Sequence, residues 1–237
     1  MSLLELHGVS KRFGGLMANQ DVSFSVEAGQ IVGLIGPNGA GKTTAFNCVA
    51  GFYTPSSGRI ALDGKTISGL PPEACARAGV GRTFQVARSF TSMTACENVM
   101  AGAMLHHKRV GSARAEALQW LAFVGLDRFA DKPAGSMTIS EQRRLAVARA
   151  LAIAPKLLLM DEVMAGLNPT EVREMVKVVL AIRERGIACL IVEHVLEGIM
   201  PIADKIVVLD RGIKIADGTP AEVSSDPAVI AAYLGDA

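Results

Sequence analysis

Gly36-Pro37-Asn38-Gly39-Ala40-Gly41-Lys42-Thr43-Thr44 is the stretch on which the fold of this chain turns. It fits the pattern G-x-x-x-x-G-K-[ST], and it lies where that pattern has a mechanism, between the apolar run 31–35 and a helical stretch over 42–49. Its glycines let backbone N–H groups converge on phosphate oxygens, and the helix N-terminus adds a potential that favours an anion. Lys42 is placed to neutralise charge on β- and γ-phosphates, and Thr43 to offer a hydroxyl to Mg²⁺. The competing explanation, a glycine-rich turn with no ligand, is disfavoured by the strand before it and the helix after it.

Working outward, short strand-like runs at 3–9, 22–26, 31–35 and 59–62 precede a long helical middle. Strand-like runs return at 157–160, 187–192 and 206–209, with a helix at 170–185 closed by Gly186. Leu157-Leu158-Leu159-Met160 and Ala188-Cys189-Leu190-Ile191-Val192 are too short for helices and too uniformly apolar for a half-solvated sheet. They suit parallel strands covered by helices on both faces. Between about 88 and 155 the pattern is helical only, with helices expected at 94–105, 113–124 and 140–153. From Gly218 onward two short helices are expected, the second capped at Asp226-Pro227.

The chain has 237 residues, 50% of them hydrophobic, with 24 basic and 23 acidic side chains and a formal net charge of +1. Disorder is excluded by this composition. Near-neutrality gives no general electrostatic reason to bind nucleic acid or an anionic membrane, and the pair Arg143-Arg144 with Arg149 makes a poor phosphate track beside Glu141. Mean hydropathy is high, at +0.33, yet no run approaches the roughly 18 apolar residues of a spanning helix; the stretch 151–160 is broken by Pro155 and Lys156. Part of the apolar surplus is therefore expected to be covered by a partner. Residues 1–7 carry no secretory signal, so a cytosolic chain is expected. Cys48, Cys75, Cys96 and Cys189 form no C-x-x-C pair and are expected to be buried, reduced thiols.

A second motif is Leu157-Leu158-Leu159-Met160-Asp161-Glu162, an apolar strand ending in two carboxylates. Ligands of open α/β sheets sit beyond the carboxyl ends of the strands, so both acids are aimed at the phosphate site. Asp161 is the candidate for the Mg²⁺ shell and Glu162 the candidate general base acting on water.

With both motifs in place the chain resembles, over essentially its whole length, the nucleotide-binding domain of ABC transporters. That resemblance implies an α/β fold: a P-loop NTPase (RecA-like) parallel-sheet core, an N-terminal antiparallel β subdomain and an inserted helical subdomain. A single domain, 1–237, is expected, with core at about 1–87 and 155–217, insert at 88–154 and tail at 218–237. It implies ATP and Mg²⁺ as ligands, with Phe13 stacking on adenine, although an ordinary core phenylalanine is the alternative. Gln85, in Arg82-Thr83-Phe84-Gln85, looks like the glutamine that joins the Mg²⁺ shell and signals to the membrane subunit. Ala165-Gly166-Leu167-Asn168 resembles the loop that crosses to the partner domain, and His194, expected to end its strand, looks like the switch histidine for the γ-phosphate. His7, His106 and His107 have no such context and read as surface or core residues.

The departure from the family lies before Arg143. Where Leu-Ser-Gly-Gly-Gln is expected stands Met137-Thr138-Ile139-Ser140-Glu141. Thr138 keeps a hydroxyl, but both glycines, which allow close approach of backbone to phosphate, are missing at Ile139 and Ser140. In this family the signature completes the partner's ATP site, so two unequal sites are expected; the alternative is a backbone that still donates normally. Val163 replaces the usual proline after the glutamate, a change expected to be minor.

Finer segments, among them Arg12-Phe13-Gly14-Gly15-Leu16, Gly51-Phe52-Tyr53, Ala165-Gly166-Leu167-Asn168-Pro169 and Tyr233-Leu234-Gly235-Asp236-Ala237, look like the ATPase subunit of branched-chain amino-acid importers. The resemblance implies a second ATP-binding subunit, identical or different, two membrane permeases and a periplasmic binding protein, with the chain peripheral at the cytoplasmic face of the inner membrane. It also implies a groove near residues 85–105 for a permease helix. A lipopolysaccharide-type exporter ATPase and a mainly ATP-binding module with a degenerate signature are the alternatives.

Overall fold

The computed structural model describes residues 2–83 and 90–234. β1 (Ser2–Phe13) and β2 (Leu16–Glu27) form an antiparallel hairpin turned at Gly14-Gly15. Both strands outrun the apolar stretches expected at 3–9 and 22–26, because the far half of the hairpin is mostly exposed and lacks the alternation that marks a buried face. β3 (Ile31–Ile35) leads into α1 (Lys42–Val49); β4 (Ser57–Leu62) and β5 (Lys65–Thr66) then join the hairpin in a four-stranded sheet of order β2-β1-β4-β5.

α2 (Pro72–Ala78) and β6 (Val80–Arg82) precede three helices, α3 (Ala95–Ala103), α4 (Val110–Phe123) and α5 (Ile139–Leu151). α3 and α5 are shorter than the expected 94–105 and 140–153. Their starts are set by capping boxes: Thr94 and Thr138 each accept the N–H three residues on, and Glu97 and Glu141 return the bond to the cap N–H. β7 (Leu157–Asp161), α6 (Pro169–Glu184), β8 (Ala188–Val192), α7 (Leu196–Ile199), β9 (Lys205–Asp210), β10 (Ile213–Gly218), α8 (Pro220–Ser224) and α9 (Pro227–Leu234) complete the chain. Asp226 accepts the N–H of Ala228 at 2.8 Å, capping α9. β6 and β10 were not expected, the first being only three residues long and the second half-exposed.

The main sheet has the order β10-β9-β3-β8-β7-β6, parallel except for the β10 edge. The uniform apolar runs are explained by the two-residue period of a strand. Leu158 and Met160 enter the core shared with α3–α6, whereas Leu157 and Leu159 enter the core shared with α1 and the antiparallel sheet. Cys189 and Ile191 divide from Leu190 and Val192 in the same way. Truncating a fully buried leucine such as Leu158 to Ala would cost about 2–5 kcal/mol. All four cysteines are free and buried, and burial pushes the Cys189 thiol up to about 12 and that of Cys48 up to about 11. Among the described residues no helix is long and apolar enough to cross a membrane.

Candidate functional site

The ends of β3, β7 and β8 and the start of α1 meet at one side of the sheet. β3 ends at Ile35, and the loop to α1 closes on itself through the Ala40 N–H, which donates to Pro37 O at 3.2 Å. Gly41 caps α1 with φ +95° and no side-chain cap, which leaves the first N–H groups of the helix for a ligand. A Cβ at Gly41 would lie 2.4 Å from Ala18 O, so the loop is seated on β2 as well as being left-handed there. Gly39, also at positive φ, has open space where its Cβ would be. That is the geometry in which backbone approaches a phosphate closely.

Lys42 Nζ donates to Gly36 O at 2.7 Å and Pro37 O at 2.8 Å. Burial pushes its pKa down, and the negative charge of Glu162 partly offsets this. A cavity of about 580 Å³ opens over the loop; its lining runs from Phe13 through residues 38–44 to Glu162, His194 and Arg211.

Asp161 ends β7 and is 3% exposed. Burial raises its pKa, and the Arg82 guanidinium, 3.4 Å away, works against the rise. Arg82 also donates to Asn47 Oδ1 at 2.6 Å and lies over the rings of Phe46 and Phe52. The next residue, Glu162, has φ +50°, a conformation that costs energy for a non-glycine residue and recurs at functional sites. Its Oε1 stands 3.0 Å from His194 Nε2. β8 stops at Val192, so His194 does not end the strand as expected; it lies two residues beyond, on a loop, after the buried Glu193.

Glu193 is 1% exposed and accepts the Met164 N–H at 2.7 Å, tying the loop after Glu162 to the segment that carries His194. Burial pushes its carboxyl up to about 7. Arg82, Arg211 and Glu193 were not singled out from the sequence. Their only signal there was proximity to the motifs.

Phe13 is 41% exposed at the hairpin tip, not in the core, with its ring edge-on to Tyr53 at 5.1 Å. Lys11 Nζ lies 5.0 Å from the Phe13 ring centre. Gln85 falls outside the described residues. Thr138, Ile139, Ser140 and Glu141 sit at the start of α5 and do not line this cavity. Ile139 is 61% exposed, whereas Ser140 and Glu141 are buried and Glu141 Oε2 takes Lys132 Nζ at 2.7 Å. His106 and His107, read from the sequence as without context, converge on Glu116.

Comparison with known proteins identifies the family. Residues 19–165 match the family described as ABC transporter, and residues 214–237 the one described as branched-chain amino acid ATP-binding cassette transporter. The chain is 43% identical to the high-affinity branched-chain amino acid transport ATP-binding protein BraF of Pseudomonas aeruginosa, with 99% of this chain and 98% of the relative covered. It is 40% identical to LivG of Escherichia coli over the same shares, and 35% identical to the lipopolysaccharide export system ATP-binding protein LptB of Haemophilus influenzae over 100% and 98%. Among solved structures, a nucleotide-free ATP-binding cassette from an ABC transporter superposes with a TM-score of 0.92 at 30% identity, each chain covered in full. A structure of an ABC transporter ATP-binding cassette in the ADP conformation gives 0.90 at 30% identity, again with full coverage of both. The chain belongs to the ATP-binding cassettes of ABC transporters, in their branched-chain amino acid group, and is an ABC transporter ATPase.

Proposed function

We propose that this chain hydrolyses ATP to power an importer of branched-chain or related amino acids, docked at the cytoplasmic face of the cell membrane. The observation that carries the hydrolytic part is the Glu162–His194 pair at the mouth of the loop cavity. The substrate class is supported by the names of BraF and LivG and by the match over 214–237. LptB supports the exporter alternative, at lower identity.

The N–H groups at the start of α1 and Lys42 hold the phosphates, and Phe13 offers a ring face to the base. Thr43 and Asp161 present the hard oxygen donors that Mg²⁺ takes, and the burial of Asp161 is the kind that a bound cation offsets. Bound there, Mg²⁺ would neutralise charge on the β- and γ-phosphates. Gln85 is proposed as a third ligand. Glu162 Oε1 takes the proton of the attacking water, and His194 orients that carboxylate and meets the γ-phosphate.

Two such chains, or this chain and a related one, would close on two nucleotides, each site completed by residues 138–141 of the other. A groove of about 350 Å³ bordered by Phe52, Pro72, Val80, Phe90 and Ile153 would seat a permease helix. The periplasmic binding protein would act through the permeases.

The test is transport itself. In vesicles holding the permease pair with this chain, labelled leucine or isoleucine delivered by the binding protein should accumulate only with ATP. Uptake that persists with Glu162→Gln in every cassette would overturn the proposal, and lipid A extraction in place of uptake would favour the exporter.

A further inference from the structure

Outside the nucleotide cavity, three side chains converge on one carboxylate. Glu116 lies on α4; His106 and His107 lie in the turn after α3. Both imidazoles aim at the same oxygen: Nε2 of His106 is 2.8 Å and Nε2 of His107 2.5 Å from Glu116 Oε2. The other oxygen, Oε1, takes the indole N–H of Trp120 at 3.0 Å. Trp120 is itself held, edge-on to Phe123 at 5.6 Å and under the Arg185 guanidinium at 5.0 Å from the end of α6. The three ligand atoms lie within 4.8 Å of one another, and His107 and Glu116 face a surface cavity of about 640 Å³ that gives access from solvent.

We propose that His106, His107 and Glu116 form a binding site for a divalent first-row transition cation, Zn²⁺ being the best fit. Two imidazole nitrogens and one carboxylate oxygen make a His₂Glu donor set, which suits Zn²⁺ and discriminates against Mg²⁺ and Ca²⁺. Ligand atoms at about 2.0–2.1 Å from a tetrahedral Zn²⁺ are about 3.3 Å apart, so the two His–Glu distances, now 2.5 and 2.8 Å, need to spread by under about an ångström, and the imidazole nitrogens, within 4.8 Å of each other, need to close by at most about 1.5 Å. These side chains are partly exposed, at 36% for His106, 30% for His107 and 19% for Glu116. Trp120 supplies the outer-sphere hydrogen bond that metal-bound carboxylates commonly have, and it leaves Oε2 for the metal. Three protein ligands leave a fourth position for water or for a donor from another chain. A cation there would tie the turn after α3 to α4 and brace the helical insert against motion of its outer edge.

The test uses the full-length, nucleotide-free protein and Zn²⁺ alone, by equilibrium dialysis and calorimetry, with Co²⁺ absorption as a second readout. The wild type should bind one Zn²⁺ and give a Co²⁺ d–d band typical of mixed nitrogen and oxygen ligands. The double variant His106→Ala with His107→Ala should weaken binding at least about 100-fold. Glu116→Gln, which keeps an acceptor for Trp120, should weaken it at least about 10-fold. Each variant's metal-free melting temperature and circular dichroism establish that it is folded; should the double variant fail there, His106→Gln alone replaces it. No Zn²⁺ binding by the wild type, binding unchanged in the folded variants, or ready displacement by excess Mg²⁺ would each overturn the site.

Discussion

Nε2 of His194 stands 3.0 Å from Oε1 of Glu162, although the two lie on loops that follow different strands. β7 and β8 are parallel neighbours with Asp161 paired to Val192, so the sheet register itself delivers the carboxylate and the imidazole to one place. Glu162→Gln should keep nucleotide affinity within about two-fold while ATP turnover falls roughly 10²–10⁴-fold, the usual worth of a positioned general base. Steady-state hydrolysis close to wild type would refute Glu162 as the base. His194→Ala should also lose turnover, since it removes the group that orients the carboxylate.

Glu193 makes a pH-dependent contribution to stability whose sign follows from burial. Its carboxyl titrates near 4.5 when unfolded and at about 7 when folded. Between those values the folded chain binds more protons than the unfolded one, so stability is lost as pH rises from about 4.5 to about 7 and this contribution levels off above that. Glu193→Gln keeps an oxygen for the Met164 N–H and carries no charge. Denaturant titrations at pH 5.5 and 8 should show a flatter profile in the variant and a gain at pH 8; parallel profiles would remove Glu193 as the source.

Ile139 occupies the first turn of α5 with 61% of its surface exposed, where a glycine would let backbone approach a partner's phosphate. Ile139→Gly, alone and with Ser140→Gly, should raise ATPase of the assembled transporter roughly ten-fold if the signature limits one site, about the worth of one recovered hydrogen bond. Since Ser140 is buried in the helix, its glycine carries a helix cost of about 1 kcal/mol, which makes the single variant the cleaner measurement. An unchanged rate means that the backbone at Ile139 already donates normally.

Phe13 presents an exposed ring beside Tyr53 and Lys11. Removing one base-stacking ring costs roughly 1–3 kcal/mol, so Phe13→Ala should weaken ATP about ten-fold or more, and Phe13→Trp should restore it. Affinity for inorganic triphosphate should not change. An equal loss for triphosphate would mean that the hairpin tip, not the base contact, had been disturbed.

The loop from Gly36 to Thr44, the carboxylate pair at 161–162 and the parallel character of the main sheet were legible in the sequence because each is local. A glycine spacing, a strand ending in acids and a uniform apolar run report the conformation and burial of their own segment. The same locality explains what was misplaced. The polar far half of the β1–β2 hairpin carried no buried face to read, and Thr94 and Thr138 moved two helix starts by competing for backbone N–H groups.

Only the tertiary structure decided which side chains meet across elements. Arg82 reaches Asp161 across 79 residues of chain, and Glu193 holds Met164 across 29. His106 and His107, unremarkable as letters, acquire a chemistry when α4 brings Glu116 and Trp120 to them. Periodicity tells which face a residue buries; its partner there depends on register, on strand order and on which helix covers that face, and these are set by the packing of the whole chain.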